Sequence, residues 1–202
     1  LGDGVARADA YCRRMTFSFE STTDDVLDGI DLAGRRFVIT GAASGLGEES
    51  TRALAAHGAS ILMLARDPQK NADAAERVRA AVPDADLSLD TVDLADLSSV
   101  RAFAGRYLDS GRPIDVLMNN AGVMACPFGH TADGFEMQFG TNHLGHFELT
   151  RLLEPAVLVG CSQGGRVALD AALAMPERVR ALVLVAPAIS GAPEQAVFPW
   201  RC

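Results

Sequence analysis

From Asp31 onward, short apolar runs alternate with longer segments of helical spacing, and this alternation limits the possible folds more than any other feature. Phe37–Thr40 is an apolar run that breaks at Gly41, a buried-strand signature. Leu46–His57 then has helical spacing with small residues and stops at Gly58, a natural C-cap. The same pairing recurs as strand Ile61–Ala65 with helix Asn71–Val82, strand Leu87–Val92 with helix Leu97–Leu108, and strand Ile114–Asn119 with helix Phe135–Leu153. A last unit reads as strand Ala156–Gly160, helix Gly164–Met175 stopped by Pro176, and strand Val179–Ala186. Strands separated by such helices run parallel and are joined by right-handed crossovers.

The expected fold is therefore α/β, a three-layer, Rossmann-like, doubly wound parallel sheet of about six strands in the order 3-2-1-4-5-6. A chain of 202 residues accommodates this as one domain over residues 31–202. Residues 1–30 show no sustained periodicity and read as a lead-in, poorly ordered or containing one short helix near Asp24, Asp25 and Asp28.

A net charge of −8 gives no general attraction to nucleic acid or to an anionic membrane, so a bound phosphate would be held by local geometry. No apolar run approaches the roughly 20 residues of a membrane span, and residues 1–14 lack the apolar middle of a signal peptide. Cys12, Cys126, Cys161 and Cys202 are widely spaced without a CxxC pair. They read as reduced thiols rather than a zinc site or a disulfide frame, and the chain as cytoplasmic. Among its 18 basic residues only Lys70 is a lysine.

Thr40-Gly41-Ala42-Ala43-Ser44-Gly45-Leu46-Gly47 sits between the first strand and the first helix. Glycines at these spacings permit a tight turn and a close backbone approach, and the N–H groups at the following helix N-terminus point at a pyrophosphate. An ordinary βα turn is the alternative reading. About twenty residues on, a site for NAD carries an acid for the ribose 2′-OH. Here Leu64-Ala65-Arg66 stands at the end of the second strand. An arginine fork pairs with a 2′-phosphate, so NADP is expected over NAD, although a solvated loop arginine would look the same in sequence.

Five segments together resemble the front half of a short-chain dehydrogenase/reductase of the retinol-dehydrogenase-like kind, over about residues 31–153. They are Thr40–Gly47, Ala65-Arg66-Asp67, Val92-Asp93-Leu94, Asn119-Asn120-Ala121-Gly122 and Asn142-His143-Leu144-Gly145-His146-Phe147. The resemblance implies that Gly41, Ser44, Leu46 and Gly47, with Gly45 in the same loop, line the cofactor phosphates. It implies that Asp93 and Leu94 meet the adenine and that Asn120, Ala121 and Gly122 border the ribose. Asn142 matches the family asparagine that kinks its helix and holds a water in the proton relay. His143 and His146 read as packing or capping residues, and their spacing finds no further ligand to complete a metal site.

Members of that family reduce carbonyls or oxidise alcohols with a serine and a Tyr-x-x-x-Lys pair placed after the asparagine helix. This sequence has only Tyr11 and Tyr107, both before Asn142, and Lys70 is on the second helix. Any turnover of a carbonyl or alcohol substrate is expected to be impaired, because the proton-transfer pair is missing.

After Glu154-Pro155 the character changes. Val159-Gly160-Cys161-Ser162-Gln163-Gly164 reads as a strand running into G-x-S-x-G, and residues 156–191 resemble the nucleophile-elbow segment of an α/β-hydrolase. That resemblance implies Ser162 as nucleophile and the Gln163 N–H as oxyanion donor. No histidine follows His146, so a base would have to come from His130, His143 or His146. Ser162 reads equally as an unactivated turn serine, or as a residue near the place of the reductase serine. The junction at Leu153-Glu154-Pro155 and the start at Leu1 point to a recombined, truncated or mis-assembled reading frame. Three functions follow as expectations: an NADP-dependent oxidoreductase, a serine hydrolase at Ser162, or a catalytically inactive dinucleotide-binding module. Oligomeric state is not readable from the sequence.

Overall fold

A computed structural model describes residues 17–18, 20–153, 156–161, 163–174, 176 and 179–185. The strands are β1 Arg36–Thr40, β2 Ser60–Ala65, β3 Leu87–Thr91, β4 Val116–Asn119, β5 Ala156–Cys161 and β6 Val179–Val185. All neighbours pair in parallel, in the order β3-β2-β1-β4-β5-β6. The α/β doubly wound class expected from the alternation is the class observed. In the lead-in, α1 spans Thr23–Leu27 and starts in a capping box between Thr22 and Asp25.

Helices α2 (Gly45–Ala56), α3 (Pro68–Ala81), α4 (Leu97–Asp109) and α7 (Gln163–Ala174) connect successive strands. Their starts are local chemistry. The Asp67 carboxylate accepts from the Gln69 and Lys70 amides with Pro68 in the first turn, and Asp96 caps α4 through the Ser98 and Ser99 amides.

Period-2 alternation in the strands sends side chains to both faces, so two cores form. Val38, Leu62, Leu64 and Leu117 join Val100, Phe103 and Leu149 on one face. Ile39, Ile61 and Met63 meet Ala55, Ala74 and Ala75 on the other. Strands buried on both sides explain why their sequences read as nearly continuous apolar runs. The small alanines of α2 and α3 let those helices lie close to the sheet.

The helix expected over Phe135–Leu153 is not continuous. It begins at Met137 as α5 (Met137–Phe139), passes through a π-helical segment at Gly140–Gly145, and resumes as α6 (His146–Leu152). Phe135 lies outside it because its carbonyl and amide are tied to Thr131. Two glycines let the widened segment press against its surroundings. A Cβ on Gly145 would collide with the Leu94 carbonyl oxygen, and one on Gly140 with the Thr131 side chain. Strand β4 starts at Val116 rather than Ile114, whose side chain is buried just ahead of it. Among the described residues, no helix is long and apolar enough to cross a membrane.

Candidate functional site

A cleft of about 440 Å³ opens at the carboxyl ends of the strands, where the chain winds to β2 on one side of β1 and β4 lies on the other. That crevice is where open parallel sheets bind ligands. Gly41, Ser44, Leu46, Arg66, Asp93, Leu94, Asn120, Ala121 and Gly122 all line it, so four segments distant in sequence converge. Gly45 and Gly47 are not lining residues; Gly45 is exposed at the start of α2 and Gly47 is buried behind the loop.

Gly41 has φ +67°, and a Cβ there would stand 2.8 Å from Ala121 Cα, so the loops after β1 and β4 touch only because position 41 is glycine. Gly47 is more constrained. A Cβ on it would overlap the Gly41 carbonyl oxygen and stand 2.7 Å from Asn120 Nδ2. Gly45, at φ +57°, is in open space and is glycine for its backbone conformation alone. Ser44 occupies the N-cap of α2 in an extended conformation, and its side chain makes no capping hydrogen bond. The first amides of α2 thus lack a side-chain partner at the rim of the cleft, the arrangement that binds phosphate at a helix N-terminus.

The positive charge is local. Arg66 and Lys70 are exposed side chains at the same end of the cleft. The nearby acid, Asp67, has Oδ1 turned to the α3 amides at 3.0 and 3.1 Å. Lys70 is a lining residue that the sequence reading did not assign. Its signal was available: it stands four positions after Arg66, in the first turn of a helix that starts at the β2 end.

Behind the cleft lies a buried polar chain. Asn120 and Ala121 donate their amides to Thr40 Oγ1, both at 3.0 Å, and Asn120 Nδ2 donates to the Thr40 carbonyl. Thr40 Oγ1 is 2.8 Å from His146 Nε2, and His146 Nδ1 is 3.0 Å from the Asn142 carbonyl. His146 has no exposed surface. Burial pushes its pKa down to about 4, with His143 adding to the shift and the Asn142 carbonyl opposing it.

The Asn142 side chain does not reach into the cleft. Its Oδ1 accepts from the Val123 amide at 2.8 Å and its Nδ2 donates to the Val123 carbonyl at 2.7 Å. The side chain clamps the loop after β4 onto the π-helical segment, and the neighbouring Thr141 lines the cleft. Asn142 itself lies within the π-helical segment Gly140–Gly145. His143 stacks on Phe139 at 5.1 Å and lies 3.7 Å from Asp170 on α7. Ser162 lies outside the described residues, between the end of β5 at Cys161 and the start of α7 at Gln163. Of the three bases considered for it, His146 has both ring nitrogens engaged and His130 packs edge-on against Phe128.

Comparison with known proteins agrees with this geometry. The short chain dehydrogenase family model matches residues 35–171, past the Leu153-Glu154-Pro155 junction. Retinol dehydrogenase 12 of Mus musculus is 46% identical over 124 residues, covering 61% of this chain and 39% of that protein. Short-chain dehydrogenase TIC 32 B of Brassica napus is 42% identical over 133 residues, covering 66% of this chain and 42% of its own. The chain thus spans less than half the length of these curated relatives. An uncharacterized protein from Mycobacterium Paratuberculosis superposes with a TM-score of 0.58 at 47% identity, over 65% of this chain and 47% of that one. A metagenomic short-chain oxidoreductase crystallised with NADP shares the fold, with a TM-score of 0.62 at 24% identity over 76% of this chain and 81% of that one. With the family model matched over residues 35–171, this chain belongs to the short chain dehydrogenases.

Proposed function

We propose that the cleft holds NADP(H), and that these residues form the dinucleotide-binding part of an oxidoreductase acting on a small carbonyl or alcohol. The observation that carries this reading is the pairing of Gly41 and Gly47. Gly41 excludes a Cβ so that its loop can meet Ala121 after β4, Gly47 excludes one so that the loop can close on Gly41, and the loop presents the uncapped N-terminus of α2 to the cleft.

Arg66 and Lys70 favour a 2′-phosphate over a 2′-hydroxyl. The place at the end of β2 where an NAD site carries its acid is held by Arg66, and the neighbouring Asp67 caps α3 through Oδ1. Ala121 and Gly122 would border a ribose, and Asp93 and Leu94 the adenine. Bound NADP(H) supplies or accepts a hydride at its nicotinamide ring. Asn142 acts here by clamping Val123 onto the π-helical segment.

These 202 residues contain no Tyr or Lys after Asn142. They do not themselves furnish the Tyr-x-x-x-Lys pair, and general acid–base assistance of about 10²–10⁴ in rate is missing from them. Binding with weak or no turnover is the behaviour expected of them.

The test is titration with NADP(H), followed by nucleotide fluorescence and thermal shift, on the wild type and on Gly47→Trp. Saturable binding and a raised melting temperature are expected for the wild type only. A wild type that neither shifts nor saturates refutes the cofactor reading, and equal or tighter binding of NAD refutes the NADP preference.

A further inference from the structure

The buried chain behind the cleft has a direction, and one residue sets it. A carbonyl oxygen only accepts, so at 3.0 Å from the Asn142 carbonyl His146 Nδ1 carries the proton. Burial keeps the ring neutral, which leaves Nε2 as an acceptor. The Thr40 hydroxyl, 2.8 Å away, donates to it. With its only proton committed, Thr40 Oγ1 has both lone pairs for the Asn120 and Ala121 amides, each at 3.0 Å. The other acceptor near the hydroxyl, the Met118 carbonyl, is farther at 3.3 Å. Every donor and acceptor along the line has one assignment, so the links polarise one another.

We propose that His146 is a positioning residue for the cofactor cleft: through Thr40 it fixes the loop after β4 against the loop after β1. It links three elements at once. Thr40 ends β1, Asn120 and Ala121 follow β4, and Asn142 belongs to the π-helical segment. Thr40, Asn120 and Ala121 are lining residues, whereas His146 stands behind them and touches no ligand space. The proposal rests on the cofactor reading for its binding consequence alone; the directed chain itself is a property of the unliganded protein.

Three measurements on wild type, His146→Leu and His146→Gln decide it. Long-range proton–nitrogen correlation of the unliganded wild type should show a neutral ring protonated at Nδ1 at pH 7. Amide hydrogen exchange in His146→Leu should quicken at Asn120 and Ala121 by tenfold or more, while amides of the β1–β2 ladder keep their rates. NADPH affinity should fall at least tenfold in the same variant. His146→Gln, which retains one donor and one acceptor, should recover part of both losses. A ring protonated at Nε2, unchanged exchange at the two amides, or a uniform rise across the sheet would each overturn the positioning role. A wild type that binds no NADPH would refute the proposed function instead, with the ring and exchange measurements still deciding the role of His146.

Discussion

Gly47 and Gly41 meet so closely that a Cβ on Gly47 would occupy the space of the Gly41 carbonyl oxygen and stand only 2.7 Å from Asn120 Nδ2. Two of the three nearest atoms are Gly41 backbone and the third is an amide held by the Thr40 carbonyl, so none swings aside freely. Gly47→Ala should therefore move α2 or the loop rather than be absorbed. Overpacking of this sort costs about 1–3 kcal/mol. NADPH affinity should fall tenfold or more, by fluorescence titration, with a melting temperature lowered by several degrees. Unchanged affinity in a folded Gly47→Ala protein would show that the loop does not shape the ligand site.

The outline of this arrangement was legible in the sequence because it is local. A strand that breaks at Gly41 and a helix that opens at Gly45 are consecutive in the chain, and so are Asp67, Pro68 and the start of α3. What escaped is non-local or is hidden by permissive residues. His146 reads as a packing residue because its partner Thr40 lies 106 positions away. Helical spacing over 135–153 conceals the π-helical segment, since the glycines at 140 and 145 fit a regular helix as readily as a widened one. Only the collisions a Cβ would make there, with Thr131 and Leu94, show why glycine is needed. Lys70 looks like a helix-surface residue until the first turn of α3 is placed beside Arg66.

His146 also sets a pH dependence. Its pKa is about 4 in the folded protein against an ordinary value of 6.5. Between those values the unfolded chain binds a proton that the native chain does not, so stability rises with pH and is lost as pH falls from 6.5 towards 4. The full window is worth on the order of 3 kcal/mol. His143, the neighbouring titratable group, pushes in the same direction, and Asp170 faces His143 from α7. Denaturant unfolding at pH 7 and pH 5 should show a larger drop for wild type than for His146→Gln. Equal drops in the two proteins would mean that the buried ring is not the titrating group.

Glu148 on α6 is nearly buried and accepts from Arg101 at 2.8 Å and from Arg151 at 2.8 and 3.0 Å. The arginines hold its pKa below the usual carboxylate range, Arg151 most strongly. Both are half-exposed, so they rehydrate when the carboxylate is removed and much of the loss is recovered. Glu148→Gln should cost about 1 kcal/mol, read by denaturant unfolding, and the cost should shrink in high salt. A loss insensitive to salt would assign the role of Glu148 to packing between α4 and α6 rather than to charge.

Arg66 and Lys70 both line the cleft, and among the described residues neither forms an ion pair, while Asp67 Oδ1 accepts from the α3 amides. Charge-assisted contacts to a phosphate are each worth about 1.5–3 kcal/mol, whereas a ribose hydroxyl gains little from a cation. Removing either side chain should therefore weaken NADP without weakening NAD. Arg66→Ala should lose roughly tenfold or more in NADP affinity, and Lys70→Ala a smaller factor, because an ammonium makes one point contact where the guanidinium makes a planar pair. Replacing Arg66 by aspartate should go further, repelling the 2′-phosphate and restoring an acceptor for a ribose hydroxyl, so that the preference inverts. Parallel titrations with the two nucleotides read this out as a ratio, which cancels any general loss of folding. If the ratio stays constant across the three variants, discrimination resides elsewhere in the cleft, and the 2′-phosphate does not sit between Arg66 and Lys70.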